Sequence, residues 1–147
     1  MSTAIIFYSK HHGNTKKVID AIASCNDIDL FDITLDPSPD LSSYDTIGIA
    51  SGIYFGKFGK ALASYVEQNF PSRKKVFFIY TYGSASEHYT DEIRTLAEYH
   101  FAEVIGSFGC KGFDTFGPFK VIGGIAKGHP DAQDLQNAKA FYASLHI

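Results

Sequence analysis

"FYSKHHGNTKKV", residues 7–18, decides how the rest of the chain reads. It begins inside an apolar, branched and aromatic run, "AIIFY" (Ala4 to Tyr8). It then stops at a short loop holding Gly13, Asn14 and Thr15 and passes at once into a helical pattern. A loop of this kind leaves backbone N–H groups unpaired at a helix N-terminus, where the helix dipole also favours negative charge, so the stretch suits an anion. The plainer reading of the same residues is a loop and a helix cap, because short motifs such as GNT recur without a ligand.

Working outward, five apolar runs read as strands: Thr3 to Ser9, Ile28 to Ile33, Thr46 to Ser51, Val76 to Thr81 and Glu103 to Cys110. Helical periods lie between them, with one face made by Val18, Ile19, Ile22 and Ala23, another by Leu62, Tyr65, Val66 and Phe70, and a third by Ile93, Leu96, Ala97 and Phe101. Leu135, Ala138, Tyr142 and Leu145 outline a last helix. "AIIFY", "TIGIAS" and "VFFIYT" are almost continuously apolar, as a sheet covered on both faces requires. Their alternation with helices points to a parallel α/β sheet. "LDPSPDLSSY" (Leu35 to Tyr44), with its prolines and turn residues, reads as a loop or one short helix.

The bulk composition narrows the classes. A chain of 147 residues, 45% hydrophobic, fits a single domain over 1–147. Its 13 basic and 16 acidic residues are interspersed, with a formal net charge of -3, which makes no electrostatic case for nucleic acid. No apolar run is long enough to span a bilayer, and the first residues read as strand and helix rather than a leader peptide, so no membrane role is expected. Cys25 and Cys110 are the only cysteines, too few for a disulfide framework or a thiolate metal site, and a reducing cytoplasm fits best.

In an open parallel sheet, ligands bind beyond the carboxyl ends of the strands, near the point where strand order reverses. The stretches that would lie there are "KHHGNT" after the first strand, "SGIYFGKFG" (Ser51 to Gly59) after the third, "TYGSASEHY" (Thr81 to Tyr89) after the fourth and "KGFDTFG" (Lys111 to Gly117) after the fifth. Their glycines let backbone approach a ligand, while Ile53, Tyr54, Phe55 and Tyr82 supply flat or apolar surface. An anion at one end and aromatic walls at the other describe a mononucleotide with a large ring. Alternatively, Tyr54 and Phe55 pack on Phe58 as ordinary loop residues, and His11 and His12 are solvated. Neither GxGxxG nor GxxxxGK[ST] follows the first strand, which argues against a dinucleotide fingerprint and a nucleoside triphosphatase. No carboxylate pair, Ser-His-Asp order or metal-ligand spacing stands out.

"IFYSKHHGNTKKVI", "DLSSYDTIGIASGIYFGKFGKAL", "KKVFFIYTYGS" and "AEVIGSFGCKGFDTFGPF" together resemble the flavodoxin family over nearly the whole chain. The resemblance implies an α/β three-layer sandwich, a five-stranded parallel sheet in the order 2-1-3-4-5 with helices on both faces. It also implies FMN as cofactor. Lys10, His11, His12, Gly13, Asn14 and Thr15 would enclose its phosphate. Ser51, Gly52, Ile53, Tyr54, Phe55 and Gly56 would form a second flavin loop, and Thr81, Tyr82, Gly83 and Ser84 a third. Members of the family usually have serine or threonine hydroxyls among the positions held here by Lys10, His11 and His12, so backbone N–H groups carry more of the cradle. The function implied is electron carriage by a monomer between redox partner proteins, a reductase as donor and an enzyme as acceptor, with the flavin doing the chemistry. Two alternatives remain open at this point: a flavin-dependent reductase of quinone-like acceptors driven by NADH or NADPH, and a module that kept the fold and lost the flavin.

Overall fold

The structure is a computed structural model that describes residues 2–10, 12–114 and 123–147. The first strand, β1 (Thr3–Tyr8), is buried along almost its whole length and leads through the Gly13 loop into α1 (Asn14–Ala23). There follow β2 (Asp29–Asp32), β3 (Thr46–Tyr54), β4 (Lys57–Phe58), α2 (Lys60–Asn69), β5 (Lys75–Tyr82), α3 (Asp91–Glu98), β6 (Glu103–Lys111) and α4 (Ala132–Ser144). The strands β2-β1-β3-β5-β6 lie side by side in that order, all parallel. Counting these strands alone, the order is the 2-1-3-4-5 expected.

Continuously apolar strands demand cover on both faces, and the core divides accordingly. Ile6, Ile47, Ile49, Val76 and Phe78 pack with Leu62, Val66, Ile93 and Ala97 on the side of α2 and α3. Ile5, Phe7, Ala50, Phe77 and Ile79 pack with Val18, Ile19, Ile22, Ala138 and Tyr142 on the side of α1 and α4. Gly48 marks how tight this packing is, since a Cβ there would lie 2.5 Å from the Phe77 ring. No described helix is long and apolar enough to cross a membrane.

Several expectations need correction. The third strand runs on to Tyr54 instead of stopping at Ser51, so Gly52, Ile53 and Tyr54 are strand residues rather than loop. Phe55 and Gly56 then make a two-residue hairpin turn into β4, and both have left-handed backbones (φ 52 and 79), as a type I′ turn requires. The fourth expected loop likewise starts later, because β5 includes Thr81 and Tyr82. Phe101 does not join the face of α3: the helix ends at Glu98, and Phe101 has φ 61 and is 68% exposed. Leu35 to Tyr44 forms turns without a helix, anchored by the fully buried Leu41 and by Tyr65, whose hydroxyl donates to the Pro39 carbonyl at 2.7 Å. His11 and residues 115–117 of the Lys111 to Gly117 stretch lie outside the described residues.

Candidate functional site

The strand order reverses between β1 and β3, and the N-terminus of α1 opens at that junction. Gly13 caps the helix with a left-handed backbone (φ 65) and no side-chain cap, and His12 before it is also left-handed (φ 57). The Ser9 hydroxyl accepts the Lys16 N–H at 3.0 Å and so draws the strand end onto the first turn of α1. Asn14 and Thr15 are buried although polar. Thr15 exchanges a hydrogen bond of 2.8 Å with Thr81, hydroxyl to hydroxyl, which fastens α1 to the end of β5. The Asn14 amide nitrogen donates to the Phe113 carbonyl at 2.8 Å, while its Oδ1 has no partner among the described residues. A buried acceptor without a donor costs about 1–3 kcal/mol.

The β3–β4 hairpin forms the second wall. Ser51 is its strut: the hydroxyl accepts the Gly59 N–H at 2.9 Å and donates to the Gly52 carbonyl at 2.6 Å. Residues two apart on a strand share a face, so Tyr54 folds back over Gly52. The hydroxyl of Tyr54 accepts the Lys10 N–H at 3.3 Å, and Tyr8 meets its ring edge-on at 5.4 Å between centroids. Phe55, at the turn tip, is 88% exposed.

On the third side, Tyr80, Tyr82 and Tyr89 form a triangle of rings with centroids 5.9–6.0 Å apart, and the Tyr89 hydroxyl donates to the Ser84 carbonyl. Burial, then the neighbouring ionisable groups, raises the Tyr80 and Tyr82 phenols above their ordinary range, so both are neutral donors. The stretch after β6 closes the site from below. The Gly112 N–H donates to the Tyr82 carbonyl at 2.9 Å, Phe113 stacks on His12 at 4.5 Å, and Asp114 pairs with Ile125 across an antiparallel bridge. Gly83 lies so close to Asp114 that a Cβ would be 2.5 Å from its carboxylate.

These walls enclose a narrow cleft of ≈ 20 Å³, room for about one water, so a larger ligand must part them. Of the residues singled out from sequence, Asn14, Thr15, Gly52, Ile53, Tyr54, Thr81, Tyr82 and Gly83 line it. Lys10 reaches it through its backbone N–H and His12 through Phe113. Ser51 is an interior strut, Ser84 an anchor for Tyr89, and Phe55 and Gly56 the outer turn. Sequence reasoning missed Ser9, and it marked Gly112, Phe113 and Asp114 only as part of a glycine- and aromatic-bearing stretch without a role. Behind the hairpin a second, wider cleft of ≈ 660 Å³ is lined by Tyr8, Tyr54, Phe55, Lys57 and Lys60 among others, with Lys57 paired to Glu92 at 3.1 Å.

Near the base of the site, His129 Nδ1 lies 2.6 Å from an Asp134 oxygen. Asp131 and Asp134 reciprocally accept each other's backbone N–H groups at 2.9 Å, a capping box that starts α4. Burial pushes the Asp134 carboxyl up, but the hydrogen bonds from His129 and Asp131 outweigh it and hold the group below its ordinary range. This cluster is explained by helix capping. It also carries the site, since the Phe113 N–H donates to the His129 carbonyl at 2.9 Å.

The geometry defines a class: a doubly wound α/β protein with a polar helix N-terminus and aromatic walls converging at the switch point of a parallel sheet. The chain belongs to the flavodoxin family, whose flavodoxin domain matches residues 5–110. It is 36% identical over 148 residues to the uncharacterised protein MJ0298 of Methanocaldococcus jannaschii, covering 99% of this chain and 98% of that one. Among solved structures it is similar to oxidised flavodoxin 2 of Bacillus cereus (TM-score 0.72, 17% identity, 99% of this chain and 98% of that chain). It is also similar to general stress protein 14 of Treponema denticola in complex with FMN (TM-score 0.67, 12% identity, 99% of each chain).

Proposed function

We propose that the protein binds FMN in this cleft and carries electrons between redox proteins. The observation that supports this most is the buried Asn14 Oδ1, without a partner among the described residues, beside the α1 N-terminus at the junction of β1 and β3. The residues fit the group. The loop from Lys10 to Thr15 and the helix dipole suit a phosphate monoester. Asn14 Oδ1 suits a hydroxyl donor such as the ribityl chain carries, and Tyr54, Tyr82 and Phe113 suit a ring system. The structure of general stress protein 14 with FMN, a fold neighbour, agrees with this choice of cofactor. When bound, FMN supplies one- and two-electron chemistry, and the chain's own residues hold it, exclude water and set its electrostatic surroundings.

The carrier takes electrons from a separate reductase and gives them to an acceptor enzyme, working as a monomer in a reducing cytoplasm, where both free cysteines would stay thiols. The second reading, a reductase of small planar acceptors, is favoured by the ≈ 660 Å³ cleft behind Tyr54 and Phe55, which lies within the usual size range of ligand sites. Purified protein separates these. A yellow preparation that releases FMN on acid treatment, is reduced by an added flavoprotein reductase and oxidises NADPH slowly by itself supports the carrier. Rapid unassisted NADPH oxidation with a free quinone moves the function to the reductase, and a colourless protein that takes up no added FMN contradicts both.

A further inference from the structure

The β3–β4 hairpin stands between two spaces of very different size. In front lies the ≈ 20 Å³ cleft bordered by Gly52, Ile53 and Tyr54, and behind lies the ≈ 660 Å³ cleft bordered by Tyr54, Phe55 and Phe58. Tyr54 is a wall of both. A ligand the size of a flavin needs about 300 Å³ or more, so one wall of the front cleft must retreat. The other walls are tied to each other: Thr15 to Thr81, Asn14 to Phe113, and the Gly112 N–H to the Tyr82 carbonyl. The hairpin is held by the pairings of Ile53 with Phe58 and Tyr54 with Lys57, and the open space lies directly behind it.

The rear cleft has a chemistry of its own. Tyr8, Phe55, Phe58 and Leu96 give it an apolar surface. Lys60, Ser64 and Glu67 line it from α2, spaced four and three apart and therefore on one side of the helix. Lys57 and Glu92 neutralise each other at 3.1 Å, whereas Lys60 and Glu67 have no ion-pair partner among the described residues. Seven residues of helix separate these two charges by about 10 Å. The cleft is thus positive at the hairpin end and negative at the other.

We propose that the rear cleft is a second ligand site, for an elongated aromatic acid, and that its occupation and flavin binding in the front cleft oppose each other. The acid group meets Lys60, the ring lies among Phe55, Phe58 and Leu96, and a hydrogen-bond donor at the far end meets Glu67. An occupant of the rear cleft holds Tyr54 forward and keeps the front narrow. A flavin in front drives the hairpin into the space that the occupant needs. The coupling is reciprocal, so each ligand weakens the other by the same factor. The opposition rests on the FMN reading, whereas the site itself does not, and it gives the cleft a task other than that of an acceptor pocket.

The test is isothermal titration of wild type, Lys60→Glu and Ser64→Phe with 8-anilinonaphthalene-1-sulfonate and with FMN, each variant checked for folding by its melting curve. Wild type binds one sulfonate, and saturating FMN raises the sulfonate dissociation constant about 10-fold or more. Lys60→Glu reverses the charge that meets the acid, so it weakens the sulfonate about 3-fold or more and changes FMN affinity less than about 2-fold. Ser64→Phe fills the rear cleft from α2. It weakens the sulfonate about 10-fold or more, and it also weakens FMN, because the hairpin loses the space into which it retreats. Sulfonate binding that is absent from wild type, or unchanged in both variants, overturns the site. Sulfonate binding that is indifferent to FMN, or FMN binding that is indifferent to Ser64→Phe, overturns the opposition. Wild-type protein that takes up no FMN refutes the FMN reading and the opposition with it, a result distinct from these because the sulfonate's dependence on Lys60 and Ser64 still decides the site.

Discussion

The first loop and the β3–β4 hairpin face each other across one cleft and are built on opposite principles. The first loop works mainly through backbone: two consecutive left-handed residues, His12 and Gly13, aim the start of α1 at the cleft, and the cap residue brings no side chain, the Ser9 hydroxyl taking the Lys16 N–H from the strand end. The hairpin works through side chains, with Ser51 bracing it from inside, Tyr54 laid over Gly52 and Phe55 standing exposed at the turn. The difference teaches where each wall is vulnerable. A backbone-built site fails when φ is disturbed, whatever the side chain offers, whereas a side-chain-built wall fails atom by atom.

The largest effect expected from breaking this contrast comes at Gly13. A Cβ there meets nothing within 4 Å, so Gly13→Val is unfavourable through its φ of +65 alone. A β-branched residue held in that conformation costs about 1–3 kcal/mol. FMN affinity should fall about 10- to 100-fold with a smaller loss for riboflavin, measured by flavin fluorescence. Thr15→Ala comes next. It leaves the buried Thr81 hydroxyl without its partner and should lower stability by about 1–3 kcal/mol, read from the urea midpoint.

The hairpin should answer in the other direction at its tip. Phe55 is a non-glycine residue at φ 52 in a turn that prefers asparagine or glycine, so Phe55→Gly should raise stability by a few tenths to about 1 kcal/mol. A destabilised Phe55→Gly would show that the exposed ring holds the hairpin and would weaken the contrast. The smallest effect is pH-linked and concerns the support beneath both walls. Asp134 has its carboxyl held below the ordinary 3.8 in the folded protein, so the unfolded chain binds the proton more readily. Its contribution is present above the ordinary carboxylate range and is lost as pH falls through the depressed value. Melting temperature should decline on acidification in that range, and Asp134→Asn should flatten this part of the profile.

Much of the fold was legible because covered parallel strands must be apolar throughout and α1, α2 and α4 bury faces at spacings of three and four. What the residues could not show was where periodic patterns end. Phe101 keeps the helical spacing, but α3 stops at Glu98 and the chain turns through a left-handed residue. Gly52 to Tyr54 looked like loop because glycine and aromatic residues mark both loops and strand ends, and the pairings of Gly52 with Thr81, Ile53 with Phe58 and Tyr54 with Lys57 show that the strand continues. The site was legible to the extent that it lies at strand ends. Its closing side was not, because Asn14 meets Phe113 across 99 residues, a contact that no local pattern encodes. The direction of Tyr54 was hidden for a related reason: an aromatic residue beside a ligand loop reads as a stacking wall, and only the structure shows its oxygen at the Lys10 N–H.

The central claim, that the first loop holds the phosphate of FMN, is tested most directly by the ratio of the riboflavin and FMN dissociation constants of the wild-type protein at one salt concentration. Several charge-assisted contacts to one phosphate, each worth about 1.5–3 kcal/mol, predict that FMN binds at least about 100-fold more tightly. Equal dissociation constants for the two flavins would contradict it.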